Sequence, residues 1–208
     1  MAVVSCSSIA FADVQSYMNV ADFLTNAGDT SFESFEGFSS GTQISSLNGI
    51  LEVNGVSRFG MSIDVNVLSE NDLPFPMFPV GQLPSGTNFL SNDLANPYYG
   101  AGTIEFVFDG PALALGFYVA DGGGLSTFNI TLFNGTEEIG SFDSSVELGL
   151  PNSFFGIAGD VQFTSAVIGS NSDLDSWGID NLYVASVPAP AGTALFVIVG
   201  ACSMCRRR

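Results

Sequence analysis

Residues 103–136 read TIEFVFDGPALALGFYVADGGGLSTFNITLFNGT. Apolar residues alternate through this stretch. Ile104, Phe106 and Phe108 share one face, as do Leu113, Leu115, Phe117 and Val119, and then Phe128, Ile130 and Leu132. A period of two belongs to a half-buried strand. Asp109-Gly110-Pro111, Asp121-Gly122-Gly123-Gly124 and Asn134-Gly135 punctuate the runs as turns. Phe133-Asn134-Gly135-Thr136 predicts a tight hairpin with a type I′ turn. Short strands at this spacing imply an all-β antiparallel sandwich rather than βαβ units.

The rest of the body, residues 13–186, agrees. It is rich in Gly and Phe, 24 and 19 in the whole chain, and only Val14 to Ala27 offers a helix. Leu73 to Tyr99 differs: Pro74, Pro76, Pro79, Pro84 and Pro97 exclude a central strand and predict a long loop. Its aromatics, among them Phe89, Tyr98 and Tyr99, either pin the loop to the sandwich or offer a platform for a sugar.

A length of 208 residues suits one domain. Lys and Arg total 4 against 21 Asp and Glu, for a net charge of -17. Nucleic acid is excluded as a partner, because phosphate binding needs a basic face. There is no His. That removes Ser-His and Cys-His nucleophiles and His-ligated zinc. No Lys is present either, so Schiff-base chemistry is absent and only paired carboxylates remain among common hydrolytic strategies. Cys6, Cys202 and Cys205 lie in the terminal segments, so the body stands without disulfides.

Both ends read as addresses. Residues 1–12 are apolar and close on Ala10-Phe11-Ala12 before Asp13, the pattern of a signal-peptide remnant with a cleavage site at Ala10 and Ala12. Residues 187–208 run in three parts. Val187-Pro188-Ala189-Pro190 is a rigid opening, Ala191 to Cys205 is uncharged, and Arg206-Arg207-Arg208 ends the chain. The apolar run predicts a short C-terminal transmembrane helix, below the ~20 residues usual for a span. The arginines would fix its orientation from the cytoplasmic side. The three parts in this order resemble the PEP-CTERM sorting signal, with Ala189 where the usual motif has Glu. The resemblance implies exosortase and export machinery as partners and transient anchoring in the inner membrane. Release to the cell surface or extracellular matrix would follow.

Two acidic stretches stand out in the body. Ser31-Phe32-Glu33-Ser34-Phe35-Glu36-Gly37-Phe38 comes early, and Trp177-Gly178-Ile179-Asp180-Asn181-Leu182-Tyr183-Val184 comes last. In the second, Trp177 and Ile179 share a face, while Leu182 and Val184 have the opposite parity. A one-residue slip at Asp180-Asn181 is what a β-bulge produces, and bulges re-aim side chains. A carboxylate aimed in this way is a reasonable metal ligand. The two stretches resemble the first and last strands of jelly-roll bodies in exported PEP-CTERM proteins, and more loosely galactose-binding and MAM-like sandwiches. The resemblance implies that these strands are neighbours with a structural Ca²⁺ between them. Carried over by position, Glu36 and Asp180 are carboxylate ligands, and Asn181 stands where the looser pattern has a second Asp.

Three functions are then open. The first is a non-enzymatic, exported surface or matrix protein with a structural or weak glycan-interaction role. The second is a carbohydrate-binding module for extracellular polysaccharide, with Tyr98 and Tyr99 as contacts. Trp177, the only Trp, has inward parity and reads as core. The third is a glycoside hydrolase or lyase using carboxylates such as Glu105, Glu137 and Glu138.

Overall fold

The computed structural model describes residues 13–47, 51–56, 61–71, 83–91, 102–121, 127–144, 153–170 and 177–187. Ala10, Ala12, Tyr98, Tyr99, Pro188, Ala189, Pro190, the apolar run and Arg206, Arg207 and Arg208 lie outside them. Among the described residues no helix is long and apolar enough to cross a membrane.

The elements are β1 (Val14–Tyr17), α1 (Val20–Ala27), β2 (Ser31–Glu33), β3 (Ser46–Leu47), β4 (Leu51–Val56), β5 (Ser62–Ile63), β6 (Asn66–Ser69), β7 (Asn88–Ser91), β8 (Thr103–Asp121), β9 (Phe128–Asn134), β10 (Glu137–Asp143), β11 (Ser153–Ser170) and β12 (Gly178–Ser186). The fold is mostly β, every strand pair among the described residues is antiparallel, and the branched sheet is sandwich-like.

The two long strands, β8 and β11, make that possible. The first half of β8 pairs with β4 and with the second half of β11, which continues to β9 and β10. The second half of β8 pairs with β12 and with the first half of β11, which also carries β1. The other flank of β12 receives β7 and then β2. β6 pairs with β7.

Asp109-Gly110-Pro111 is therefore not a turn between two strands. It is the bend of a single strand, where the register with β11 jumps from Val107↔Ser165 to Ala112↔Phe163. Pro111 has no N–H to continue a ladder, and the chain changes partners there instead of reversing. Leu115, Phe117 and Val119 face inward as the alternation predicts, but Leu113 beside the bend is only half-buried and Ala112 is buried instead.

The hairpin also differs from expectation. Asn134 pairs with Glu137, so Gly135 and Thr136 are the central residues. Gly135 takes φ +61 while Thr136 is not left-handed. A type I′ turn needs positive φ at both positions; glycine at the first alone is the type II′ pattern. The segment from Leu73 to Tyr99 is not loop throughout, because β7 lies between β12 and β6. Pro84 and Pro97 flank residues 88–91 without interrupting their ladder. Within this strand Phe89 is buried against Leu83 and Ala120, so it pins its segment.

Ile104, Phe106, Phe108, Phe128, Ile130 and Leu132 all point into the main core. Trp177 is fully buried there, donates from Nε1 to the Gly102 carbonyl at 3.0 Å and meets the Phe128 ring edge-on at 5.4 Å. A second, smaller core lies on the outer face. The N-cap of α1 is Asn19, whose Oδ1 accepts from Ala21 N–H at 2.8 Å and Asp22 N–H at 3.3 Å. The helix buries Phe23 against Phe154, Ala114, Ala158 and Ala185. Gly116 and Gly156, opposite one another on β8 and β11, leave room for that ring. A Cβ on Gly156 would stand 2.8 Å from Phe23 Cδ2. Burying Phe23 contributes roughly 2–3 kcal/mol.

Candidate functional site

β12 carries the site. Asp180 pairs with Tyr118, but the next β8 pairing is Tyr183 with Gly116, so three steps on β12 match two on β8. That is the bulge expected from the parity slip. Asn181 takes φ +50 within it. On the other flank of β12, β7 stops opposite Ile179 and β2 begins opposite Leu182. Asp180 and Asn181 therefore face a gap between two partner strands.

The loop 83–87 fills that gap. Ser85 donates to Asp180 from its backbone N–H at 3.2 Å and from its hydroxyl at 3.1 Å to Oδ1, and the Asn181 N–H reaches Oδ1 at 2.6 Å. The Ser85 hydroxyl also lies 3.4 Å from the Ser34 carbonyl. Glu36 Oε1 accepts from the N–H groups of Thr87 at 2.9 Å and Asn88 at 2.7 Å. Gly86 has φ +57, and its missing Cβ leaves the space that the Glu36 carboxyl occupies. Glu33 Oε1 accepts from the Phe35 N–H at 2.8 Å, and Phe35, with φ +62, is fully buried. Glu36, Asp180 and Asn181 are thus gathered around one loop from distant parts of the sequence.

The electrostatics are unbalanced. Asp180 is 0 % exposed. Burial raises its pKa from 3.8 to about 7, and the nearby Glu36 charge adds to the rise against the opposing hydrogen bonds from Asn181 and Ser85. No Lys or Arg occurs among the described residues, so no side chain there can neutralise it. Asn181 is 7 % exposed, and its Oδ1 is buried without a hydrogen-bond partner. A buried charge without a counter-ion and a buried oxygen without a donor are both costly. A hard divalent cation satisfies both at once, since it binds oxygen only. Glu36, Asp180 and Asn181 offer oxygen donors, the type that such an ion takes. Among the described residues no group of three or more Asp, Glu, His or Cys is placed to hold a metal ion.

Ser85 and Gly86 had no place in the sequence reading. Pro84-Ser85-Gly86 has the composition of a turn, and that was the signal available. The carboxylates considered for hydrolysis do not form a pair. Glu105 lies on β8 and Glu138 on β10, with β11 and β9 between them. Three strand spacings of ~4.8 Å put them about 14 Å apart, beyond the reach of either glycosidase geometry.

No family model and no curated protein matches the chain. Several solved structures are similar at low identity. The K2 cleaved adhesin domain of Lys-gingipain aligns at 13% identity and TM-score 0.49, over 76% of this chain and 99% of that one. TmCBM61, solved with beta-1,4-galactotriose, aligns at 14% and 0.37, over 79% and 98%. The C-terminal family 22 carbohydrate binding module of Clostridium thermocellum Xyn10B aligns at 12% and 0.39, over 76% and 92%. At these identities and superpositions, likeness carries no argument about ligand or activity.

Proposed function

We propose that the chain is an exported, non-catalytic, jelly-roll-like sandwich that works at the cell surface or in the extracellular matrix by interacting with polysaccharide. One observation carries the non-catalytic reading. Among the described residues the one carboxylate with a strongly raised pKa, Asp180, is sealed from solvent and bound to the backbone of a distant loop. A catalytic acid must reach substrate; this one fastens the fold. Ca²⁺ held by Asp180, Glu36 and Asn181 would neutralise the junction and lock β2, the loop 83–87 and β12 together.

Export is supported by the ends of the sequence: Ala10 and Ala12 before Asp13, and Val187 to Pro190 followed by the apolar run and Arg206 to Arg208. In this reading exosortase cuts the tail after transient anchoring in the inner membrane. Intact-mass analysis of the protein recovered outside the cell tests it. Loss of the segments before Asp13 and after the Val187 region is expected; the full-length chain found in the cytosol would sink it.

The alternative is a dedicated carbohydrate-binding module. A polar, aromatic-walled cleft beside α1 favours it over a purely structural role. Binding of the exported protein to a panel of extracellular polysaccharides separates the two, because a scaffold without a sugar site binds none of them at millimolar saccharide.

A further inference from the structure

We propose that the cleft between α1, β1 and the bend of β11 is a saccharide subsite that takes one neutral pyranose ring. The inference rests on the polysaccharide reading above and gives that reading a location. It is independent of the β12 junction.

Strand parity builds one wall. Asp13, Gln15 and Tyr17 alternate with Val14 and Ser16; Val14 packs on the main core, and Tyr17 packs on the outer cluster beneath α1. Asn26, in the last turn of α1, forms the second wall. β11 supplies the floor and far side. Its ladder with β8 breaks after Ala158, and Gly159 and Asp160 stand at that break. Gly159 has no room for a Cβ, because the Asp13 carbonyl occupies the position, so the floor there is bare backbone.

The cleft is open to solvent, with a volume of ≈ 220 Å³. At ~10–15 Å³ of such space per water it admits roughly 15–20 waters, ample room for one pyranose ring. The polar atoms are only partly used. Gln15 Nε2 donates to Asp13 Oδ2 at 3.1 Å, and Asn26 Nδ2 donates to the Asp22 carbonyl at 2.8 Å. Each carboxamide keeps its oxygen and one N–H. The Asp160 backbone N–H reaches the Asp13 carbonyl at 3.3 Å, and no described residue donates to its carboxylate. The ring of Tyr17 is held edge-on to Phe23 at 6.2 Å, which fixes its orientation in the wall.

This set is rich in acceptors, with two carboxylates and two amide oxygens against few donors. Sugar hydroxyls are its complement, since vicinal hydroxyls can donate together to one carboxylate while the carboxamide N–H groups return bonds to hydroxyl oxygens. An aromatic wall suits the C–H face of a pyranose. Two carboxylates in a chain of net charge -17 outweigh the single α-ammonium that cleavage before Asp13 leaves there, and so disfavour uronates and sulfated sugars. The ligand class is therefore a neutral hexose, at a chain end or within a polysaccharide.

The test is ¹H–¹⁵N NMR titration of the exported protein with neutral hexoses, with glucuronate and with CaCl₂ alone. Neutral sugar should shift the amides of Gln15, Tyr17, Asn26 and Asp160, and glucuronate should shift none. Asp160→Ala should weaken binding about tenfold, because one charge-assisted hydrogen bond is lost. Its side chain is exposed, so the variant is expected to keep the fold, which its ¹H–¹⁵N spectrum reports directly. Undiminished sugar binding in Asp160→Ala and Tyr17→Phe, with shifts elsewhere, overturns the cleft and leaves the polysaccharide reading standing. Shifts at these amides with CaCl₂ and none with sugar overturn it in favour of a cation. Failure to bind any neutral saccharide overturns the cleft, and failure to bind any polysaccharide of the panel, charged or neutral, overturns both readings.

Discussion

Ser85 and Asp180, separated by 95 positions in the sequence, are joined by the backbone N–H and the hydroxyl of the serine, both donating to one buried carboxylate. The contact closes the gap that β7 and β2 leave along β12. Its chemistry sets the first predictions.

In EDTA the protein should lose stability as pH rises. Burial and then Glu36 raise Asp180 from 3.8 to about 7. The folded state keeps a proton that the unfolded chain releases above about pH 4. The stability from this group is full below that point and is lost as pH climbs through about 7, by roughly 4 kcal/mol. Asp180→Asn removes the titration, so the difference between variant and wild type isolates it. Urea midpoints from about pH 5 to about pH 8 check the slope.

Calcium should offset part of that loss. A site with two carboxylates belongs with extracellular modules that bind at about 0.1–1 mM. At about 10 mM Ca²⁺ the stabilisation is then roughly 1.5–3 kcal/mol, read as a higher melting temperature than in EDTA. Asn181→Ala should abolish most of the difference, and Asn181→Asp should enlarge it. Equal melting temperatures in EDTA and Ca²⁺ would reject the site.

Gly86→Ala should destabilise by about 2–4 kcal/mol. The new methyl group meets the Glu36 carboxyl, and φ +57 is strained for alanine. Denaturant unfolding measures the effect, and Gly37→Ala, with open space around the site, serves as the mild control.

Phe23→Ala should cost about 3–5 kcal/mol and release α1 from the sheet. Hydrogen exchange in residues 20–27 reports that release, because the helix has only this one fully buried side chain. The variant should also loosen the Tyr17 cleft, whose wall leans on the same ring.

What could be read from the sequence follows from what repeats in it. Alternation at Ile104, Phe106 and Phe108 and at Phe128, Ile130 and Leu132 is a local property, and it located core strands. The parity change between Ile179 and Leu182 located the bulge for the same reason. By contrast, Asp109-Gly110-Pro111 has the same composition whether the chain reverses or only bends, and the partner strands that decide the matter lie far away. Ser85 shows in the sequence only as part of a Pro-Ser-Gly turn; its role exists because the ladder along β12 has a vacancy opposite Asp180. Phe23 was legible as a helix residue, but not the glycine pair that receives its ring.

The way the chain leaves the sandwich bears on how the molecule withstands pulling. Val187 donates to the Pro111 carbonyl at 2.8 Å just beyond β12, so the appendage departs beside the bend of β8. Tension on it runs along a strand with hydrogen-bonded neighbours on both flanks. Such a strand is loaded in shear, and its bonds must fail together rather than unzip one by one. A load applied at Val187 before the tail is cut is therefore shared among the bonds that β12 makes with β8 and β2.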